Sequence, residues 1–195
     1  YVGRHVVPAL SELHELRLAD VQPIDDPRYV PLDLVDPVAT REAMQGMEAV
    51  LHLATSSGFE GSVENDAANH LRFAVNVEGT HNVLAAAAAA GVRRVVHTSS
   101  IMVTWGYPPP DMIAGDAAPW PVGTYAITKR LGETLCEHFA REAGLSIICI
   151  RIAKPIALDD PYWKERRVRP QTLPFPDLVQ AFSKAKLRTP MDEGT

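Results

Sequence analysis

The sequence predicts an α/β fold, a doubly wound parallel sheet with helices on both faces, on three observations. Runs of strand length alternate with helical patterns as far as residue 157. Three runs, AVLHLAT (Ala49–Thr55), RVVHTSS (Arg94–Ser100) and SIICIRIA (Ser146–Ala153), are continuously apolar or β-branched, as strands covered on both faces are. The helical stretches between them are long enough to serve as crossovers, and strand–helix–strand repetition gives parallel pairing.

In chain order, the first helix is the opening segment GRHVVPALSEL (Gly3–Leu13). Two short runs bounded by turn residues, ELRLAD (Glu15–Asp20) and YVPLDL (Tyr29–Leu34), are the next expected strands. Helices are expected over Asn69–Ala90 and Tyr125–Ala143, the latter ended by Gly144 as a C-terminal cap. The run Ala85–Ala90 reads as helix and not as low-complexity sequence. Alanine is the strongest helix former, and its small side chain lets a helix lie close on a sheet. From Ala157 onward proline, arginine and acidic residues rise and strand-like runs are expected to cease. Residues 158–195 are therefore assigned to the start of a second, truncated substrate lobe. The opening at Tyr1 without a preceding strand or initiating methionine, and the close on TPMDEGT after an amphipathic helix, predict an internal segment of a longer protein.

Composition narrows the function. With 46% hydrophobic and 22% charged residues the chain reads as an ordinary globular one. A formal net charge of −5 leaves no basic footprint, so nucleic acid is not an expected partner. No apolar run approaches the roughly 18 residues of a membrane span, so no membrane partner is expected. Cys136 and Cys149 lie in apolar segments and read as buried free thiols, which predicts a reducing, cytoplasmic compartment. Seven histidines without HExxH spacing or His/Cys clustering predict no metal site.

In a doubly wound sheet ligands bind beyond the carboxyl ends of the strands. That rule selects Asp20, Asp33, the segment His52–Thr55 and the segment Thr98–Ser100, with Gly3 opening the first helix. An acid about 20 residues beyond a glycine turn accepts the ribose hydroxyls of a bound dinucleotide, and its charge repels a 2′-phosphate. Asp20, 17 residues after Gly3 (20 − 3), meets that requirement and favours NAD over NADP. The plain alternative is a solvated aspartate at a strand end.

The stretch TYAITK (Thr124–Lys129) sets Tyr125 and Lys129 at i and i+4, on one face of a helix. A free phenol has pKa about 10 and is a poor base at pH 7. Lowering that value by about three units takes roughly 4 kcal/mol. A cation about 4 Å away at an effective dielectric near 20 supplies a contribution of that size. The pair thus predicts a base that takes a proton from a substrate hydroxyl while hydride moves to a cofactor. Ser100, 25 residues earlier (125 − 100), is the expected hydroxyl clamp on the substrate oxygen. Two unrelated helix-surface residues would give the same spacing; the combination with Asp20 and Ser100 is what adds specificity.

These motifs together resemble an extended short-chain dehydrogenase/reductase, the NAD-dependent epimerase/dehydratase superfamily. YVGRHVV resembles the tail of its TGxxGxxG loop, with Gly3 as the last glycine. LDL resembles the pair beside the adenine (Asp33, Leu34), and LHLA followed by Thr55 the strand end that carries Leu53 and Ala54. NVEGTHNVL resembles the N-V-x-G-T helix beginning at Asn76. HTSS resembles the serine strand with Thr98 and Ser100, YAITK the Tyr/Lys pair, and RIAKP the strand to the nicotinamide side with Ala153. The resemblance covers about residues 1–155. It implies a Rossmann-like NAD-binding domain over 1–157, catalysis by Ser100, Tyr125 and Lys129, and cofactor contacts from the other residues just named. It also implies a sugar-type substrate touched by Ser100 and Ile101, and a homo-oligomer. LRLADVQPID and RIAKPIALDDPYWKERR resemble the hexuronate dehydrogenases. In that group an arginine after the last strand holds the substrate carboxylate; Arg167, or next Arg166, is the match. Two departures stand out: the first strand and first glycines are absent, and Trp105 replaces the tyrosine usual in the epimerases. A nucleotide-sugar 4-epimerase or dehydratase and a non-catalytic dinucleotide sensor remain the alternative functions.

Overall fold

The computed structural model describes residues 1–57, 64–108, 113–159 and 172–187. Two compact units emerge: Tyr1–Leu16 with the described residues from Ile152 on, and Arg17–Arg151.

The larger unit carries the sheet elements that position the chemistry. Strand β1 (Leu18–Asp20) pairs in parallel with β2 (Tyr29–Pro31), and β3 (Ala49–His52) in parallel with β4 (Arg94–Ser100), His52 opposite His97. Strand β5 (Ser146–Ile152) joins the other side of β4, giving the order β3-β4-β5. All seven residues of β4 are buried, as its central place and continuous apolar run require. The flanking β3 and β5 are mostly half-buried, so the expectation of cover on both faces holds only for β4. Cys149 on β5 is exposed while Cys136 is buried, which corrects the reading of both as buried thiols; both are free.

The crossovers are helical. Helix α2 (Pro37–Ala43) was not expected from the sequence, yet its start is written there. The Asp36 carboxylate accepts from the Val38 and Ala39 amides at 2.8 and 3.1 Å, and Pro37 takes the first position, where its missing N–H costs nothing. The expected Asn69–Ala90 helix is three pieces in sequence: α3 (Asp66–Phe73), one wide π turn (Ala74–Glu78) and α4 (Gly79–Ala89). Helix α5 runs Thr124–Glu142. Leu84 and Ala87 of α4, Cys136 of α5, and Val92, Val95 and Leu145 form the core between helices and sheet. Burying a side chain the size of Leu84 stabilises by about 1.5–3 kcal/mol, and the alanines beside it let α4 approach closely enough to do so. Gly132 does the same for α5: a Cβ there would lie 3.0 Å from His97 Nε2 on β4.

The smaller unit holds α1 (Val2–Ser11), β6 (Lys154–Ile156), β7 (Thr172–Pro174) and α6 (Phe175–Leu187). Strands β6 and β7 pair in parallel, so strand structure does continue past Ala157, against expectation. Val6, Leu10, Ile156, Phe175, Leu178, Phe182 and Ala185 are its buried apolar residues among those described, and His5 stacks on Phe175 with ring centroids 3.8 Å apart. Among the described residues, no helix is long and apolar enough to cross a membrane.

Candidate active site

Ser100 ends β4, and its Oγ accepts from the Met102 amide at 3.2 Å, turning the chain into a short 3-10 helix (Ile101–Thr104). That turn holds Ile101 half-buried beside α5. Tyr125, half-buried, is the second residue of α5, and the hydroxyls of Thr55 and Ser100 both act on its phenol. The three strand-end and helix-start oxygens predicted from separate motifs therefore meet at one point.

The electrostatics differ from the sequence expectation. Burial, the dominant influence, pushes the Tyr125 phenol above its usual pKa; the hydroxyls of Thr55 and Ser100 oppose it. Lys129 is not what holds the phenol down. It lies one turn along α5, only 3% exposed, and its own pKa is pulled from 10.5 to about 8 by burial. Its charge bears on two buried histidines instead. His52 falls to about 3 and His97 well below its usual value, each chiefly through burial and with Lys129 adding to it. The two rings lie 5.2 Å apart. His52 Nε2 sits 3.0 Å from Thr80 Oγ1, whereas neither nitrogen of His97 has a hydrogen-bond partner among the described residues. Two neutral imidazoles thus underlie the lysine.

Asn76 sits in the π turn, a feature that often marks functional sites, and is 2% exposed. Its Oδ1 accepts from the Ser56 amide at 2.7 Å and the Thr55 hydroxyl at 3.1 Å. Its Nδ2 donates to Ser56 O at 2.9 Å and Thr128 Oγ1 at 3.0 Å. With every polar position of the amide used within the chain, this side chain, expected among the cofactor contacts, fastens the β3 loop to α5.

A second network underlies Ser100. Ser99 Oγ donates to Glu133 at 2.6 Å, and Arg151 binds both Glu133 oxygens, Nε to Oε1 at 2.8 Å and Nη2 to Oε2 at 2.9 Å. Arg151 Nη1 also reaches Ala117 O at 3.3 Å. Burial raises the Glu133 carboxyl, but Arg151 and Ser99 outweigh it and hold the group below its usual value. Sequence reasoning missed this network, although two signals were present: Glu133 stands four residues after Lys129, and Arg151 interrupts an apolar strand.

The remaining expected site residues are more scattered. Asp20 is exposed at the end of β1, its Oδ1 accepting from the Gln22 amide at 2.9 Å. Asp33 lies two residues beyond β2 and not at its end; its Oδ1 accepts from the Val35 amide at 3.0 Å. Leu34 is half-buried against Gly79, and its carbonyl accepts from Asn82 at 2.8 Å. Leu53 is half-buried and Ala54 exposed in the loop after β3. Thr98 is buried in β4, and its Oγ1 has no hydrogen-bond partner among the described residues. Gly3, in the first turn of α1, and Ala153, between β5 and β6, belong to the smaller unit. Arg166 and Arg167 lie outside the described residues.

A parallel α/β sheet with a strand-end serine beside a helix-borne tyrosine, and a buried lysine one turn on, defines a class of dinucleotide-dependent enzymes. The chain belongs to the NAD dependent epimerase/dehydratase family, whose family model matches residues 1–171. L-arabinose 1-dehydrogenase (NAD(P)(+)) of Haloferax volcanii is 32% identical over 171 residues, 82% of this chain and 65% of its own length. Among solved structures, a short-chain dehydrogenase/reductase superfamily protein from Agrobacterium tumefaciens with bound NAD is 35% identical at a TM-score of 0.72. The match covers 80% of this chain and 47% of that one. Glucuronic acid dehydrogenase from Chromohalobacter salexigens is 25% identical at a TM-score of 0.81, over 95% of this chain and 68% of that one. The chain thus spans about two thirds or less of the length of these relatives.

Proposed function

We propose that the protein is an NAD-dependent oxidoreductase that moves hydride between the nicotinamide and a hydroxyl or carbonyl carbon of a sugar or sugar acid. The observation that carries this reading is the half-buried Tyr125 phenol at the start of α5, on which the hydroxyls of Ser100 and Thr55 both act. The dehydrogenases of arabinose and glucuronic acid among its relatives support the substrate class. The residues fit a dinucleotide: Asp20 is exposed at a strand's carboxyl end, Thr98 keeps a buried hydroxyl with no hydrogen-bond partner among the described residues, and Lys129 is a buried cation. Asp20, Asp33 and Leu34 would hold the adenosine side, with Leu53 and Ala54 lining the cofactor. Thr55, Thr98 and Lys129 would lie on the nicotinamide side.

When bound, the cofactor supplies the hydride acceptor or donor. Ser100 and Ile101 then meet the substrate, with the serine hydroxyl orienting the reacting oxygen. Tyr125 transfers the proton at its phenol oxygen, giving it to a carbonyl as that carbon is reduced or taking it from a hydroxyl as it is oxidised. Because burial raises its pKa, the phenol holds its proton at neutral pH and is best prepared as a donor. Oxidation is therefore favoured by alkaline conditions. Arg167 remains our choice for a substrate carboxylate.

The test is turnover of hexuronates, aldoses and nucleotide sugars by the full-length protein, followed by NADH absorbance. Net NADH formation is expected, and Tyr125→Phe should cut it by about 10²–10⁴-fold while NAD still binds. Epimerisation of a nucleotide sugar without net NADH would replace the reading by its alternative.

A further inference from the structure

We infer that Glu64 is a positioning residue for Tyr125: its carboxylate, 60 residues distant in sequence, caps the amino end of α5 and fixes the turn that presents the phenol. The inference rests on the catalytic reading of Tyr125 given above. Glu64 Oε1 accepts from the Thr124 amide at 2.9 Å, and Oε2 accepts from the Thr124 hydroxyl at 2.6 Å. Those bonds draw the carboxyl below its usual pKa, against a smaller opposing effect of desolvation, with Asn69 and Arg72 adding to the fall.

α5 has no side-chain cap of its own. The residue before its first turn is Gly123, at φ +85, a conformation that glycine adopts and other residues resist. Any residue there would also bring a Cβ to 3.3 Å from Glu64 Oε1. A serine or aspartate, the usual local cap, is thus excluded by backbone and space, and the acceptor must come from elsewhere.

Glu64 is in turn anchored. Arg72 lies 3.7 Å from its Oε2, donates to Asn69 Oδ1 at 2.6 Å, and binds Ser57 O through Nε at 3.2 Å and Nη2 at 3.0 Å. The arginine is 2% exposed and sits at the end of α3. Ser57 follows directly on Thr55 and Ser56, which Asn76 ties to α5 through Thr128. Thr55, through Asn76, and the start of α5, through Glu64, are then referenced to one frame, with Arg72 joining Glu64 to Ser57. An error of an ångström at the phenol would weaken proton transfer without unfolding the domain.

The experiment compares Glu64→Ala and Glu64→Gln in the full-length protein. Gln keeps an acceptor for the Thr124 amide and a donor for its hydroxyl, so it retains the bonds and loses only the charge. Expected for Ala is a fall in kcat of about tenfold, with KM for NAD changed less than about twofold and the folded fraction unchanged. Gln should return kcat to within about threefold of wild type. A wild-type kcat in Ala, or a Gln variant as slow as Ala, overturns the assignment. Hydrogen exchange at the Thr124 amide gives an arm that needs no turnover: about tenfold faster in Ala, near wild type in Gln. If the wild type oxidised no sugar, the enzymatic reading would fail, and equal exchange in all three proteins would separately refute the cap.

Discussion

Asp20 at the end of β1 and Asp33 two residues past β2 are built in the opposite way to Ser100, at the end of β4, and its α5 neighbours Tyr125 and Lys129. Asp20 and Asp33 are exposed, and each carboxylate bonds an amide two residues ahead. Tyr125 is half-buried beside the buried Ser100 and Lys129, and the surrounding segments are held by bonds spanning 20 to 60 residues, from Ser56 to Asn76 and from Glu64 to Thr124. An exposed acid that need only accept hydroxyls from a mobile ligand requires little support. A group that must pass a proton over a fixed short distance requires a frame. The contrast predicts that substitutions in the buried network behind Ser100 damage the fold, that loss of the exposed Glu64 cap slows turnover in a folded domain, and that changes at the acids alter selectivity alone.

The largest effect on stability should come from Glu133→Ala. Glu133 is 3% exposed and holds Arg151 by two bonds and Ser99 by one, so its loss leaves a partly buried guanidinium and a buried hydroxyl unpaired. Removing one partner of such a pair costs about 3–5 kcal/mol. Arg151 retains its bond to Ala117 O and some exposure, which places the expectation at the lower end. Urea unfolding measures it; a loss below about 0.5 kcal/mol, the range of ordinary surface changes, would show that the frame is not needed for folding.

Next is acid lability. His52 has a folded-state pKa of about 3 against an ordinary 6.5, and His97 is shifted the same way. The unfolded chain therefore binds more protons in that window, so stability is complete above pH 6.5 and is lost as pH falls toward 3. Each unit crossed costs about 1.4 kcal/mol per histidine. The lowered carboxyls of Asp26, Glu64 and Glu133 act only near and below their ordinary values around 4, which leaves the interval from 6.5 to about 5 to the histidines. His52→Gln, which keeps a donor for Thr80, should flatten the stability profile in that interval. An unchanged slope would mean that His52 is protonated in the native state.

The same contrast sets how much was legible in the sequence. The five strands, the long helices and the meeting of Ser100 with Tyr125 follow from periodicity and strand-end rules, which are local. Even α2, missed at first, is announced by Asp36-Pro37. What could not be read is which polar side chain closes which distant bond. Nothing in EGSVEN says that Glu64 caps a helix 60 residues on, nor does NVEG say that Asn76 spends its amide on Ser56, Thr55 and Thr128. The sign of the Tyr125 shift failed for a related reason. Coulomb's law between i and i+4 ignores desolvation, and burial of both groups reverses the expected balance.

The smallest effect on stability, and the sharpest on selectivity, is expected at Asp20. It is exposed, and its one side-chain bond is to the nearby Gln22 amide. Asp20→Ala should therefore change unfolding free energy by less than about 0.5 kcal/mol. In the full-length protein it should also remove the charge that repels a 2′-phosphate, so that NADP competes where the wild type prefers NAD. The ratio of kcat/KM for the two cofactors measures this, and about a tenfold shift toward NADP is expected, equal to 1.4 kcal/mol of discrimination. An unaltered ratio with unaltered stability would mark the carboxylate as a plain turn residue. The ribose side of the site would then have to be sought in Asp33, whose Oδ1 is held in the same local way.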